Sequence, residues 1–168
     1  MKVCFLSFEY PPKIIGGMGT YAEYLVRGLE EKGVDTYIIT RGDKTCRDNK
    51  IYRISVSNML YWRRFFFFNR ASSLFHSLNN HLKFDLVHLN GTYPIIRGLK
   101  IPTVSTLHSP PNIKQATIRF KLLKNCKSAR EITYLALKNP VGSIFDFTTV
   151  QASDRIICPK PVPANDKM

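Results

Sequence analysis

Short apolar runs alternate along this chain with segments of helical spacing. Val3–Phe8 is an almost unbroken apolar run, the pattern of a strand buried on both faces. A glycine-containing loop follows it. Thr20 and Glu23 then stand three residues apart, as in a capping box, where each side chain satisfies a backbone amide of the first helical turn. Leu25, Val26 and Leu29 give that helix an apolar stripe, and Gly33 suits the position just past its end. Asp35–Thr40 predicts a second strand, Tyr52–Val56 a third, and residues 71–82 a helix. Asp85–Asn90 and Thr103–His108 are further buried-strand patterns, and Arg155–Cys158 is a last short one. Helices are expected over 113–126 and 129–137. No internal repeat or low-complexity tract interrupts the alternation. It predicts an α/β domain: a Rossmann-like, doubly wound parallel sheet with helices on both faces.

That architecture says where to look for a site. Ligands of open α/β sheets bind beyond the carboxyl ends of the strands, where the strand order reverses. The segments that follow strands here are 9–19, 90–93 and 108–111.

Composition narrows the class without changing the fold. The chain has 168 residues, 44% hydrophobic and 22% charged, which is one globular domain. Its expected extent is 1–158, with the proline-rich segment 159–168 as a stiff linker or tail. No apolar run approaches the roughly 18 residues of a membrane-spanning helix. The first apolar stretch is broken by Glu9, Pro11 and Pro12, short of the about 7–15 residues of a secretory signal core. Cys4, Cys46, Cys126 and Cys158 include no C-x-x-C pair, which argues against a zinc knuckle or a redox dithiol and for reduced, cytosolic thiols.

Charge adds an expectation about partners. The net charge is +13, and residues 49–130 hold fourteen lysines and arginines against one acid, Asp85. A solvated surface intersperses both signs, so this excess implies a polyanionic partner: nucleic acid, an anionic bilayer or phosphorylated small molecules. Residues 61–70 set Trp62, Arg63, Arg64 and Arg70 beside four consecutive phenylalanines. Those four cannot all face one core from a single helix or strand, so some must be covered by another element, a partner or lipid. Residues 113–130 place Arg119, Lys121 and Lys124 among Ile118, Phe120, Leu122 and Leu123, the pattern of a basic helix lying on an anionic membrane. Base-stacking aromatics with backbone-tracking cations have a similar composition. No RNP, KH, zinc-finger or helix-turn-helix signature accompanies them, which weighs against nucleic acid.

The loop Glu9–Gly19 is neither the dinucleotide fingerprint G-x-G-x-x-G nor a P-loop, because no Gly-Lys-Ser/Thr ends it. It places Gly16, Gly17 and Gly19 directly before a helix N-terminus. Free amides and the helix dipole make such a place fit for phosphate or carboxylate. The glycines equally serve a plain chain reversal, and both readings stand at this point.

In sequence order, F-E-Y-P-P-K-I-I-G-G-M-G-T, D-L-V-H-L-N (85–90), T-V-S-T-L-H (103–108) and A-S-D-R-I-I-C (152–158) resemble the N-terminal domain of family-4 retaining glycosyltransferases of the GT-B fold. The resemblance covers nearly the whole chain, and the order of the motifs is more specific than any one of them. It implies one half of a GT-B fold: the acceptor side of an enzyme that moves a sugar from a nucleoside diphosphate-sugar to a hydroxyl acceptor, glycan or lipid-linked. It implies that His108 is a catalytic-cleft residue near the transferred sugar, and that Gly16 and Gly17 approach the donor diphosphate and the acceptor through backbone groups. Glu9, Tyr10 and Lys13 occupy positions where the family touches acceptor or donor phosphate, although ordinary surface-loop roles fit them as well. Asn90 is expected to face the cleft, and His88 to be a core strand histidine.

The chain also departs from the family. Lys13 stands three residues before Gly16, where glycogen synthases carry a lysine two before the glycine pair. Prolines follow Cys158 where the family shows a serine and a helix. Glu23 and Glu31 have the spacing of the family's E-x7-E pair, but they lie on the first predicted helix, and that pair belongs to a second domain. A complete enzyme of the family is about twice as long. The donor site is therefore expected outside these residues and the chain alone is expected to be inactive. No metal or cofactor is expected, the nucleotide-sugar being a co-substrate. The expected location is cytoplasmic or peripheral at the inner face of the membrane, where members of the family that work on membranes dock through basic and aromatic segments. Self-association, pairing with a separately encoded donor domain, and a non-catalytic remnant of a truncated gene are the alternatives.

Overall fold

The computed structural model describes residues 1–56, 63–91, 100–108 and 153–157. The predicted helices over 113–126 and 129–137 and the proline-rich tail lie outside them. The described elements are β1 (Lys2–Ser7), α1 (Gly17–Glu31), β2 (Asp35–Gly42), β3 (Cys46–Asp48), β4 (Ile51–Ser55), α2 (Arg63–Leu82), β5 (Leu86–Asn90), β6 (Thr103–Thr106) and β7 (Arg155–Ile157). Their sheet runs in the order β3-β4-β2-β1-β5-β6-β7. All its pairings are parallel except the short β3–β4 hairpin.

The alternation of side chains along a strand assigns the two faces. Cys4, Leu6 and Phe8 of the β1 segment join Ile39, Ile54, Val87 and Leu89 in one cluster with Phe67, Ala71 and Phe75 of α2. Phe5 and Ile38 turn the other way, onto Ala22 and Val26 of α1. Neighbouring residues of one strand thus belong to cores on opposite faces. This is why the apolar run of β1 is nearly continuous, and it makes the sheet doubly wound, as the pattern predicted.

Three local expectations need correction. α1 begins at Gly17 with Gly16 as its N-cap and no side-chain cap, so Thr20 and Glu23 lie inside the helix and form no capping box there. The helix starts earlier because the Glu9 carboxylate, from the end of β1, holds the Ile15 and Gly16 amides. α2 begins at Arg63, eight residues before the predicted start, and includes the four phenylalanines. Phe67 is fully buried, in line with Ala71 and Phe75 at four-residue steps. Phe68 is buried too, whereas Phe65 and Phe66 are 37% and 40% exposed. The third correction is β3, which the sequence pattern did not predict. It is three residues long, polar, and turned by Asn49 at positive φ.

The end of α1 is as predicted. The Val34 amide donates to the Leu29 carbonyl and the Gly33 amide to that of Glu30, at 3.0 and 2.9 Å. This is the Schellman pair, and Gly33 takes the left-handed conformation it needs (φ 74°).

Candidate functional site

The strand order reverses beside β1. The chain leaves β1 for β2 and β4 on one side, then returns through α2 to β5 and β6 on the other. The carboxyl ends of β1, β5 and β6 therefore flank the switch point. They carry Glu9, Asn90 and His108.

A chain of hydrogen bonds joins these strand ends to the start of α1. Ser7 Oγ donates to the Glu9 carbonyl at 2.6 Å. Asn90 Nδ2 donates to Ser7 Oγ at 2.9 Å and to the Met18 carbonyl at 3.1 Å. Asn90 Oδ1 meets His108 Nε2 at 2.6 Å. Asn90 is fully buried, in keeping with a polar group whose partners are all supplied by protein. The Tyr21 ring, one turn into α1, stands edge-on to His108 with centroids 4.9 Å apart. Its hydroxyl lies 3.4 Å from Thr106 Oγ1, which also meets His88 Nε2 at 2.8 Å.

Burial lowers the pKa of both histidines. Burial, helped by the nearby His108, holds His88 down at about 4, so it is neutral near pH 7. Burial alone also lowers His108. His88 is a core strand histidine, as expected.

The glycines divide by what surrounds them. A Cβ on Gly19 would meet Ile14 side-chain carbons at 3.0 and 3.1 Å and Glu9 Cβ at 3.3 Å, so the loop packs tightly against that glycine. A Cβ on Gly16 or Gly17 would meet nothing within 4 Å, and neither residue has positive φ. Both are exposed. The fold itself does not demand glycine at either position, which disfavours the plain chain-reversal reading. Among the described residues no acceptor reaches the Gly17 or Met18 amide.

The other residues singled out from the sequence divide into three groups. Glu9 is buried, and its Oε2 accepts from the Ile15 and Gly16 amides at 3.2 and 3.1 Å, so its carboxylate shapes the loop. Tyr10 pairs with Lys13 across a one-bridge turn that spans the cis Pro11–Pro12 bond, and Lys13 forms an ion pair with Asp43 beyond β2. Burial, then Glu30 and Glu23, raise Tyr10 above the ordinary phenol value. These two stand aside from the Asn90–His108 chain. Arg63 and Arg64 open α2, and Arg64 lies over the Phe8 ring, 5.6 Å from its centroid. Trp62, Arg119, Lys121 and Lys124 lie outside the described residues.

Tyr21 and Arg41 were missed from the sequence. Arg41, near the end of β2, sits 4.7 Å over the same Phe8 ring, its pKa lowered by burial and by Arg63. A cation closing a strand on the ligand side of the sheet was the available signal. Glu23 and Glu31 are both exposed on α1, and Glu31 is 3.8 Å from Arg27, so they are no donor pair. Among the described residues no three His, Cys, Asp or Glu side chains gather to hold a metal, and no helix is long and apolar enough to cross a membrane.

Comparison with known proteins agrees with this fold. An uncharacterized glycosyltransferase of Methanocaldococcus jannaschii is 28% identical over 170 aligned positions, covering 87% of this chain and 43% of that protein. Sucrose-phosphate synthase of Thermosynechococcus elongatus superposes with a TM-score of 0.58 at 14% identity, over 92% of this chain and 41% of that one. That likeness is one of fold, the Rossmann-like half of a GT-B architecture. The chain thus spans less than half the length of either relative. The family model for glycosyltransferase family 4 matches residues 15–165, and the chain belongs to that family.

Proposed function

We propose that these residues are the acceptor side of a retaining glycosyltransferase that moves a sugar, of hexosyl type, from a nucleoside diphosphate-sugar to a hydroxyl on a glycan or a lipid-linked acceptor. The supporting observation is the switch-point cluster: two glycines whose Cβ side is open, two uncommitted amides at a helix N-terminus, and His108 tied to the same loop through Asn90. The Gly17 and Met18 amides supply donors for the departing diphosphate, where charge develops in the transition state. His108 faces the transferred sugar. The nucleotide is held mainly by residues beyond these 168, so the chain alone turns over no donor, and no metal takes part.

The test is glycosyl transfer by the native polypeptide that contains these residues. His108→Ala is expected to lower the rate at least about 100-fold with the fold intact; an unchanged rate contradicts the reading. The purified 168-residue chain should hydrolyse no nucleotide-sugar, and measurable turnover would refute its dependence on further residues.

A second element of the proposal is docking on an anionic membrane at the cytoplasmic face. Its support is the start of α2, where Arg63 and Arg64 adjoin the half-exposed Phe65 and Phe66. Flotation with anionic but not neutral vesicles, abolished by high salt, is the expected result. Binding to neither kind removes the idea, and a steep salt-dependent shift of RNA or DNA would replace it with a nucleic-acid role.

A further inference from the structure

We infer that Asn90 is a positioning residue that fixes the His108 imidazole as its Nε2–H tautomer, and that the backbone around the glycine loop sets Asn90 itself. The inference follows from which atoms can donate. The Met18 carbonyl can only accept, so the end of the Asn90 amide facing it at 3.1 Å is the NH2 group. Ser7 gives the same answer independently. Its one hydroxyl proton goes to the Glu9 carbonyl at 2.6 Å, so its oxygen can only accept from Asn90. The oxygen end of the amide is thereby turned on His108, 2.6 Å from Nε2. An amide oxygen needs a donor opposite it, so Nε2 carries the proton and the lone pair resides on Nδ1.

Two features keep this setting firm. Asn90 is fully buried and Ser7 is equally so, which makes a reversed amide costly, since it would oppose oxygen to carbonyl oxygen at Met18. Burial also disfavours the imidazolium form of His108, in which the distinction between the two nitrogens is lost. The titratable groups facing the ring among the described residues are His88 on β5 and Tyr21 on α1, and neither offers a carboxylate to compete with Asn90.

The chemical consequence rests on the proposed role of His108. With Nε2 occupied, the ring offers a bound molecule an acceptor at Nδ1. It therefore suits a hydroxyl donor, such as a sugar hydroxyl, and not a phosphate oxygen. The Met18 carbonyl follows the glycine pair directly, so the loop that approaches a diphosphate and the imidazole that accepts a hydroxyl are set by one hydrogen-bond chain. Movement of that loop is then transmitted to the tautomer.

The test is a long-range 1H–15N correlation spectrum of the 15N-labelled chain at pH 7.5, which separates protonated from unprotonated ring nitrogens. The expected result is a single Nε2–H pattern for His108, with the Nε2 proton visible and slow to exchange. A predominant Nδ1–H form, or an averaged one, in the unaltered protein overturns the inference. Asn90→Ala should convert the pattern to an averaged one, and retention of pure Nε2–H there removes Asn90 as the cause. Because Asn90 is buried, that variant risks not folding. Ser7→Ala then serves in its place: the Met18 carbonyl still orients the amide, so the Nε2–H pattern should persist, and its loss contradicts the assignment. These spectra need no substrate. A failure of the tautomer assignment is therefore distinguishable from a failure of the transferase reading, which His108→Ala activity alone addresses.

Discussion

The two faces of the sheet are built from different stock. Among the described residues, the cluster that includes α2 has thirteen buried members, among them Phe8, Phe67, Phe68, Phe75 and Phe84, with Phe75 and Phe84 stacked at 5.8 Å. The described cluster that includes α1 has four: Phe5, Ala22, Val26 and Ile38. α1 also starts in glycines, with its first amides uncapped by any side chain, while α2 starts in arginines lying over or beside aromatic rings. The difference teaches a division of labour. Among the described residues the larger apolar cluster packs on α2, while the start of α1 carries a glycine loop in which Gly16 and Gly17 are exposed and uncrowded.

The comparison can be broken in four places. The largest effect is expected at α2. Phe67→Ala or Phe75→Ala should cost about 3–5 kcal/mol in urea unfolding, against about 2 for Val26→Ala on the α1 face. Equal costs would mean that α1 is as much an anchor as α2. Next comes pH. His88 is held at about 4 instead of 6.5, so the unfolded chain binds a proton there that the folded one refuses. Stability should be complete above about pH 6.5, fall as the pH drops from there to about 4, and lose about 3 kcal/mol in all. His88→Gln should flatten that slope, and an unchanged slope assigns the effect to other groups.

The two smaller effects concern the loop. Gly19→Ala should cost about 1 kcal/mol, because the new methyl crowds Ile14 at 3.0 Å and the exposed Ile14 side chain can yield. Gly17→Ala should leave stability within about 0.5 kcal/mol or raise it slightly, yet weaken diphosphate binding roughly tenfold, equivalent to about 1.4 kcal/mol. If Gly17→Ala cost as much stability as Gly19→Ala, Gly17 would be structural.

How far the sequence spoke for itself follows the same division. β1 was legible because a strand buried on both faces leaves a nearly unbroken apolar run, and β2, β5 and β6 because short runs rich in β-branched and aliphatic residues stand between segments of other spacing. The Schellman end of α1 was legible because Gly33 is the residue that its positive φ needs. The start of α1 was not, since glycine is a poor helix former and the cue that sets it, the Glu9 carboxylate on the Ile15 and Gly16 amides, is tertiary. The start of α2 hid in a run of aromatics with no helical stripe, and of its four phenylalanines packing buries Phe67 and Phe68.

In the site, the strand-end rule pointed to Glu9, Asn90 and His108. It could not pair Asn90 with His108, because that contact depends on the β5–β6 register that sets Asn90 against Thr106. Nor could it find the Met18 carbonyl, a backbone atom whose residue type carries no signal.

In the proposed mechanism the glycine loop and His108 form one diphosphate-and-sugar site at the switch point. The most direct measurement is a titration of the 15N-labelled chain with a nucleoside diphosphate, followed at every amide and at the histidine rings. Saturable shifts are expected, concentrated at Gly16, Gly17, Met18 and the His108 ring, weak in affinity and reduced in Gly17→Ala. Shifts confined to the lysines and arginines of the basic middle, with the Gly16–Met18 amides and His108 unmoved, would contradict this mechanism.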